Sequence, residues 1–255
     1  MEEGKEKNTF VMETDDGPIE MTLSEVKTMA SRGDTDAMFA LGMAYVFGHA
    51  VEQDKGKGYD LLEKAANAGN PDAKILLVQL YFDGDYLDLD KDRAWQYIQD
   101  AKNVGIPEAL LYSGLAYMDG IGVEQNYETA ASEFAAAAQQ GNQEARNSLA
   151  YLYMNGLGVE KNEEKAFKLF KNAANSGNVN AMYQTGICYQ FGAGCSENWS
   201  KAADYFTKAA EQGDTESMET LAYLYYTGSP DLQQNMVKAF EWFLNAAGNG
   251  SISGM

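Results

Sequence analysis

Five aspartates crowd into DGDYLDLDKD, Asp83 to Asp92, and clustered carboxylates are what a hard cation such as calcium requires. Reading Asp88, Asp90 and Asp92 as positions 1, 3 and 5 of a calcium loop puts Arg93 where the turn needs glycine. It also puts Gln99 where a bidentate glutamate belongs, so the run reads better as an acidic surface loop. The single histidine, His49, follows Gly48 in a helix-ending loop with no second histidine or cysteine nearby in sequence. A zinc site or a histidine-based catalytic site is not expected from it. The two cysteines, Cys188 and Cys195, are too few for a disulfide framework. Their neighbours in pattern are apolar (Ala44, Leu80 and Leu152 for Cys188; Val51, Val123 and Val159 for Cys195), which predicts free thiols filling small slots. The chain has no phosphate-cradling glycine loop, and nothing places two carboxylates at one site. No metal, no cofactor and no catalytic residues are expected.

The formal charge is −19, from 38 acidic and 19 basic side chains. It argues against nucleic-acid or anionic-membrane binding through charge and favours a basic partner, solubility alone being the blander explanation. The N-terminal MEEGKEKNTFVMETDDGP has no apolar leader core, and no run approaches the roughly 18 apolar residues of a membrane span. A cytoplasmic location is the expectation, a chain whose secretion signal has been removed being the alternative.

The elements that position these residues come from a repeat. Alanine or serine falls at 37, 73, 109, 145, 181 and 217; tyrosine at 45, 81, 117, 153, 189 and 225; glycine at 48, 84, 120, 156, 192 and 228. Self-similarity at a step of this size marks a stacked array. Within each unit a first helix carries Leu149, Ala150 and Tyr153 toward its partner. A glycine loop follows, Asn162 caps the second helix, and Ala166, Phe170, Ala173 and Ala174 form that helix's apolar face. The same caps recur as Asp54, Asp90, Asn126, Asn198 and Asn235. Position 150 is small in every unit (Gly42, Gly114, Gly186, Ala222) except at Val78. Thr22-Leu23-Ser24-Glu25 reads as a capping box within a helix pattern that begins at Ile19 and ends at Gly33, the second helix of a half unit. The expected organisation is a mobile tail over 1–18, with a short strand pair as the lesser alternative. One repeat domain follows over 19–250, with a half repeat at 19–36 and repeats starting at 37, 73, 109, 145, 181 and 217; 251–255 is a tail. After Asn249 the chain runs out in GSISGM with no polar capping helix, so either the array continues beyond this segment or something covers that end. Self-association through that end is one such cover.

The segments LGMAYVFGHAVEQD, SGLAYMDGIGVEQN, LAYLYMNGLGVEKN and TGICYQFGAGCSEN are followed by LLEKAANAGN, EFAAAAQQGN, LFKNAANSGN and YFTKAAEQGD. Their glycine–tyrosine–glycine spacing resembles the SEL-one-like repeat (SLR) family, a branch of the tetratricopeptide-like helical repeats, over about Ile19 to Gly250. Val78, Tyr86 and Lys102 make the second unit its poorest match. The resemblance implies an all-α, right-handed α/α superhelical solenoid of about six helix-loop-helix repeats. It also implies a non-catalytic adaptor whose partners bind the inner surface lined by the first helices, in processes as varied as quality control, secretion, envelope assembly and host interaction.

The first helices carry a further signal. Opposite their core face an amphipathic helix should be polar. Here that side carries Phe39, Met43, Val46 and Phe47; Ile75 and Phe82; Leu111, Leu115 and Met118; Tyr151 and Met154; Tyr183, Ile187 and Phe191; and Tyr223 and Tyr226. By analogy with tetratricopeptide arrays the stripe lines a concave face, with Asp36, Asp72, Glu108, Glu144 and Glu216 beside it, acids that also suit helix N-termini. The competing reading is that curvature buries the stripe between neighbouring first helices. The function expected is a non-enzymatic scaffold gripping a basic or amphipathic peptide or helix. Its partner-binding residues are Phe39, Met43, Phe82, Leu115, Met118, Tyr151, Met154, Tyr183, Ile187, Tyr223 and Tyr226. The alternative is an acidic inhibitor or immunity-type protein that occludes a basic toxin or enzyme.

Overall fold

The computed structural model describes residues 9–12, 19–84 and 90–249. A two-stranded hairpin, β1 (Thr9–Met12) and β2 (Ile19–Thr22), precedes α1 (Leu23–Ser31). Six helix pairs follow: α2 (Thr35–Phe47) with α3 (Lys55–Asn67), α4 (Pro71–Phe82) with α5 (Lys91–Asn103), and α6 (Glu108–Asp119) with α7 (Tyr127–Gln139). The last three are α8 (Gln143–Asn155) with α9 (Glu163–Asn175), α10 (Val179–Phe191) with α11 (Trp199–Ala210), and α12 (Thr215–Thr227) with α13 (Met236–Gly248). The chain forms two compact units, residues 1–125 and 126–255. Among the described residues, no helix is long and apolar enough to cross a membrane.

The first strand pair departs from the helix expected from Ile19. Thr-Phe-Val-Met is rich in residues that suit a pleated half-buried surface. It pairs antiparallel with Ile-Glu-Met-Thr so that Phe10 faces Met21 in register. Both side chains pack against the α1–α2 core of Val26, Ala30, Ala37 and Leu41. The hairpin thus covers the half repeat, and α1 starts only where Thr22 caps it, the Glu25 carboxylate accepting the Thr22 N–H at 2.8 Å. Residues 1–8, 13–18 and 250–255 lie outside the described residues, as does the stretch 85–89 that holds Tyr86 and Asp88 of the acidic loop.

Every second helix is capped as its sequence predicts. The side chains of Asp54, Asp90, Asn126, Asn162, Asn198 and Asn235 accept the backbone N–H three residues on, at 2.7–3.1 Å. Asp90, a candidate cation ligand by sequence, is therefore a cap that takes the Arg93 amide. Five of the six first helices are capped by Asp34, Asn70, Asn142, Asn178 and Asp214, two residues before the acid where there is one, and α6 starts after Pro107 with no side-chain cap. The acids Asp36, Asp72, Glu108, Glu144 and Glu216 fall inside the first turns, where the helix dipole favours them.

Within each unit the core sets a small residue on a first helix against a large one on its partner. Gly42 meets Leu62, and Gly186 meets Phe206, so closely that a Cβ on Gly186 would lie 2.6 Å from the Phe206 ring. The departing second repeat follows the same logic with Val78 and Ile98, both fully buried. A smaller partner at 98 leaves room for the larger residue at 78. Around this core the repeating tyrosine meets a lysine from the start of the second helix, with Lys165 3.9 Å from the Tyr153 ring centre, Lys201 5.4 Å from Tyr189 and Lys238 4.9 Å from Tyr225.

In the third, fourth and fifth repeats the loop locks the repeat to the one before it. Gly158 (φ +64°) lies against the backbone of Tyr127 and Glu128 at the start of α7, and Gly194 (φ +70°) lies likewise against Glu163 at the start of α9. A left-handed φ and backbone within 2.4 Å of where a Cβ would stand both demand glycine. The equivalent residue of the first repeat is Ala50, which has strand β2 where later repeats have the start of a second helix, and which keeps the left-handed conformation (φ +60°). Ala50→Gly should therefore raise the stability of the first unit by about 0.5–1 kcal/mol, read as a higher denaturant midpoint with unchanged slope.

Candidate binding face

The face is built on the first helices, whose core side is committed to their own second helices. The structure divides the apolar stripe opposite that core. In the first unit Phe39, Met43 and Phe82 are half-buried against a cluster of Ala73, Leu77 and Val78. The Phe82 ring meets Tyr112 at 5.6 Å, tying α4 to α6. Leu115 and Met118 are half-buried, while Val46 and Leu111 are buried. In the second unit Met154 packs on Ala150, Phe170 and Cys188, and Ile187 packs into the cluster around Phe206. The Tyr183 ring lies 5.5 Å from Phe206. Burial and hydrogen bonding to Glu216 push the Tyr183 phenol up to about 12, so it stays protonated at neutral pH. These residues supply packing between repeats, and only a part of each is open to a ligand.

Tyr151, Phe191, Tyr223 and Tyr226 differ from them. All four lie on first helices of the second unit and are 48–69% exposed. Single exposed apolar residues are ordinary, but four aromatics on three consecutive first helices form a recurring surface. Two polar atoms on the same helix side have no partner among the described residues: Asn147 Oδ1 on α8 and Gln190 Oε1 on α10. Leaving such a group buried and unmatched costs on the order of 1–3 kcal/mol. A search for apolar residues passes over both. Gln190 was nonetheless visible as the one amide in a position otherwise held by Val46, Phe82, Met118, Met154 and Tyr226.

Other sequence candidates resolve without a reaction centre. Cys188 and Cys195 are free. Burial pushes the Cys188 thiol up to about 12, while the Cys195 thiol donates to the Cys188 carbonyl at 3.4 Å. Neither is a ready nucleophile, since reactivity needs the thiolate. His49 is exposed, with its ring 6.2 Å from that of Phe47. No group of three or more metal-ligating side chains occurs among the described residues.

Comparison with known proteins agrees with this architecture. The Sel1 repeat matches six times, over residues 35–70, 73–103, 107–142, 143–178, 179–214 and 215–251. A Sel1 repeat protein from Oxalobacter formigenes superposes with a TM-score of 0.77 at 29% identity, covering 91% of this chain and 67% of that one. A protective antigen present in uropathogenic Escherichia coli strains, described as displaying an SLR fold, superposes with a TM-score of 0.60 at 26% identity. That match covers 91% of this chain but spans 57% of the antigen's length. An immunity protein from Pseudomonas aeruginosa shares the fold with a TM-score of 0.59 at 22% identity, over 87% of this chain and 83% of its own. No curated protein matches the sequence. With the six matches leaving almost no residue between 35 and 251 unassigned, the chain belongs to the Sel1 repeat family.

Proposed function

We propose that the protein is a non-enzymatic interaction scaffold and that the first-helix face of its second unit grips a peptide or helix of a partner protein. The observation that carries this reading is the exposed set Tyr151, Phe191, Tyr223 and Tyr226 on a rigid helical frame. Aromatic side chains of this kind combine a large contact area with few rotatable bonds, and they dominate binding energy where interfaces have been dissected. The exposed first-turn acids Glu144 and Glu216 flank the same helices and suit a ligand with basic residues.

The test begins with capture of the partner from a lysate of the source organism, followed by titration of the identified partner. Tyr151→Ala combined with Tyr223→Ala is expected to weaken binding at least tenfold while helical circular dichroism is unchanged. Affinity should fall moderately as salt rises, since charge contributes but does not dominate. Equal affinity for the double variant sinks the reading. A steep salt dependence with no effect of the tyrosines would instead favour the acidic inhibitor of a basic protein, for which the net charge of −19 is the supporting feature.

A further inference from the structure

The outer face of α13 carries Met236, Val237, Phe240 and Leu244, each 56–68% exposed. Their spacing places them within about 100° of one another around the helix, so they form one patch. Part of this patch follows from the repeat. The counterparts of Phe240 in the earlier second helices are Tyr59, Trp95, Ala131, Phe167 and Ala203, all buried or half-buried. Val237 does not follow from it. Its counterparts Gly56, Asp92, Glu128, Glu164 and Ser200 are exposed in every repeat, each of which has a further repeat after it. Stacking one more repeat on α13 would therefore leave Val237 in water. Leu244 stands where the earlier helices have Glu63, Gln99, Ala135, Lys171 and Thr207, all half-buried, so it belongs to the stacking surface and Val237 widens it. The patch extends past the surface that repeat stacking uses.

We propose that this face of α13 is the interface of a symmetric homodimer, with α13 of one copy lying antiparallel against α13 of a second. Fully exposed, residues of this size present roughly 150–250 Å² each, so the four together offer on the order of 500 Å². A two-fold pair buries the same patch twice, about 1,000 Å² in all, which reaches the lower limit of specific interfaces and predicts a weak, reversible dimer. The four residues carry no charge, so each copy presents the same apolar surface to its mate. Each copy also carries a net charge of −19, and the repulsion between copies opposes their approach.

Sedimentation equilibrium of the 255-residue chain, over a wide concentration range and at low and high salt, tests this. A monomer–dimer equilibrium is expected, tightening severalfold between 50 and 500 mM salt as repulsion is screened, the Debye length being about 10 Å at 0.1 M and about 3 Å at 1 M. Val237→Glu and Phe240→Ala install residues that earlier second helices already hold at these positions, so the helix tolerates them. Each should weaken the dimer at least tenfold with circular dichroism and thermal midpoint of the monomer unchanged. A chain that stays monomeric at all concentrations and salts, or a dimer indifferent to both variants, overturns the proposal. Neither variant touches Tyr151 or Tyr223, so loss of partner binding and loss of the dimer remain separable.

Discussion

Phe206→Ala is expected to cost about 4 kcal/mol in the second unit, near the middle of the range for emptying a fully buried aromatic site. Phe206 is fully buried in one cluster with Ala173 and Ala174 of the fourth repeat, Ala181 of its own, and Leu221 and Leu224 of the sixth. The cluster that Phe206 fills therefore joins three successive repeats. In an array held by nearest-neighbour interfaces, the loss falls on those interfaces. Hydrogen exchange should show α10 to α12 opening before α8, and the denaturant transition should broaden as the unit stops melting as one. Phe206→Leu should cost far less, because Leu62 fills the equivalent site in the first repeat against Gly42. The contact with Gly186 gives a sharper check. Gly186→Ala alone drives a methyl group to within 2.8 Å of three atoms of the Phe206 ring, which predicts a cost of about 1–3 kcal/mol. In the Phe206→Ala background the same change should cost almost nothing. A double-mutant cycle that returns additive losses would show that the ring does not set the helix spacing.

Gly158→Ala is expected to be, with Gly194→Ala, among the most damaging single-methyl changes outside the helices, at about 3 kcal/mol. Two penalties combine: about 1–2 kcal/mol for a side chain at positive φ, and a similar amount for overpacking against backbone that cannot rotate away. The nearest atoms are the Tyr127 carbonyl carbon and the Glu128 nitrogen, at 2.2 and 2.3 Å. Gly177→Ala is the control. It carries the same kind of φ, +98°, but its Cβ would meet nothing within 4 Å. Equal thermal midpoints for the two variants would mean that the loop-to-helix contact contributes nothing beyond local strain.

Much of this was legible because the repeat samples each position six times. Caps, core alanines and the small-against-large rule at 150 and 170 can be read from the columns alone, and Val78 with Ile98 obeys the rule even where the pattern departs. The stripe was legible only as a stripe. The positions of Met154 and Tyr151 differ by about 60° around one helix, and which of them is covered depends on the neighbouring first helix rather than on their own. Tyr183 and Tyr223 show the same difficulty: both are tyrosines in the stripe, yet one packs on Phe206 and the other is exposed. The hairpin was hard to read for the opposite reason. Ile-Glu-Met-Thr is too short for its period to be distinguished from the first turn of a helix, and only its pairing with Thr9–Met12 decides the matter.

The contact of Gly158 with Tyr127, repeated by Gly194 with Glu163, also bears on how such a chain changes length over generations. Each contact joins two residues about 31 apart, and the pattern recurs every 36. An in-frame duplication or excision of one whole period regenerates every such contact at the new junction, whereas a gain or loss of a few residues within the period breaks one. Copy number is therefore free to drift by recombination between repeats, while the spacing inside a repeat is held fixed. A binding surface on the first helices can then be lengthened or shortened in steps without redesigning the frame beneath it.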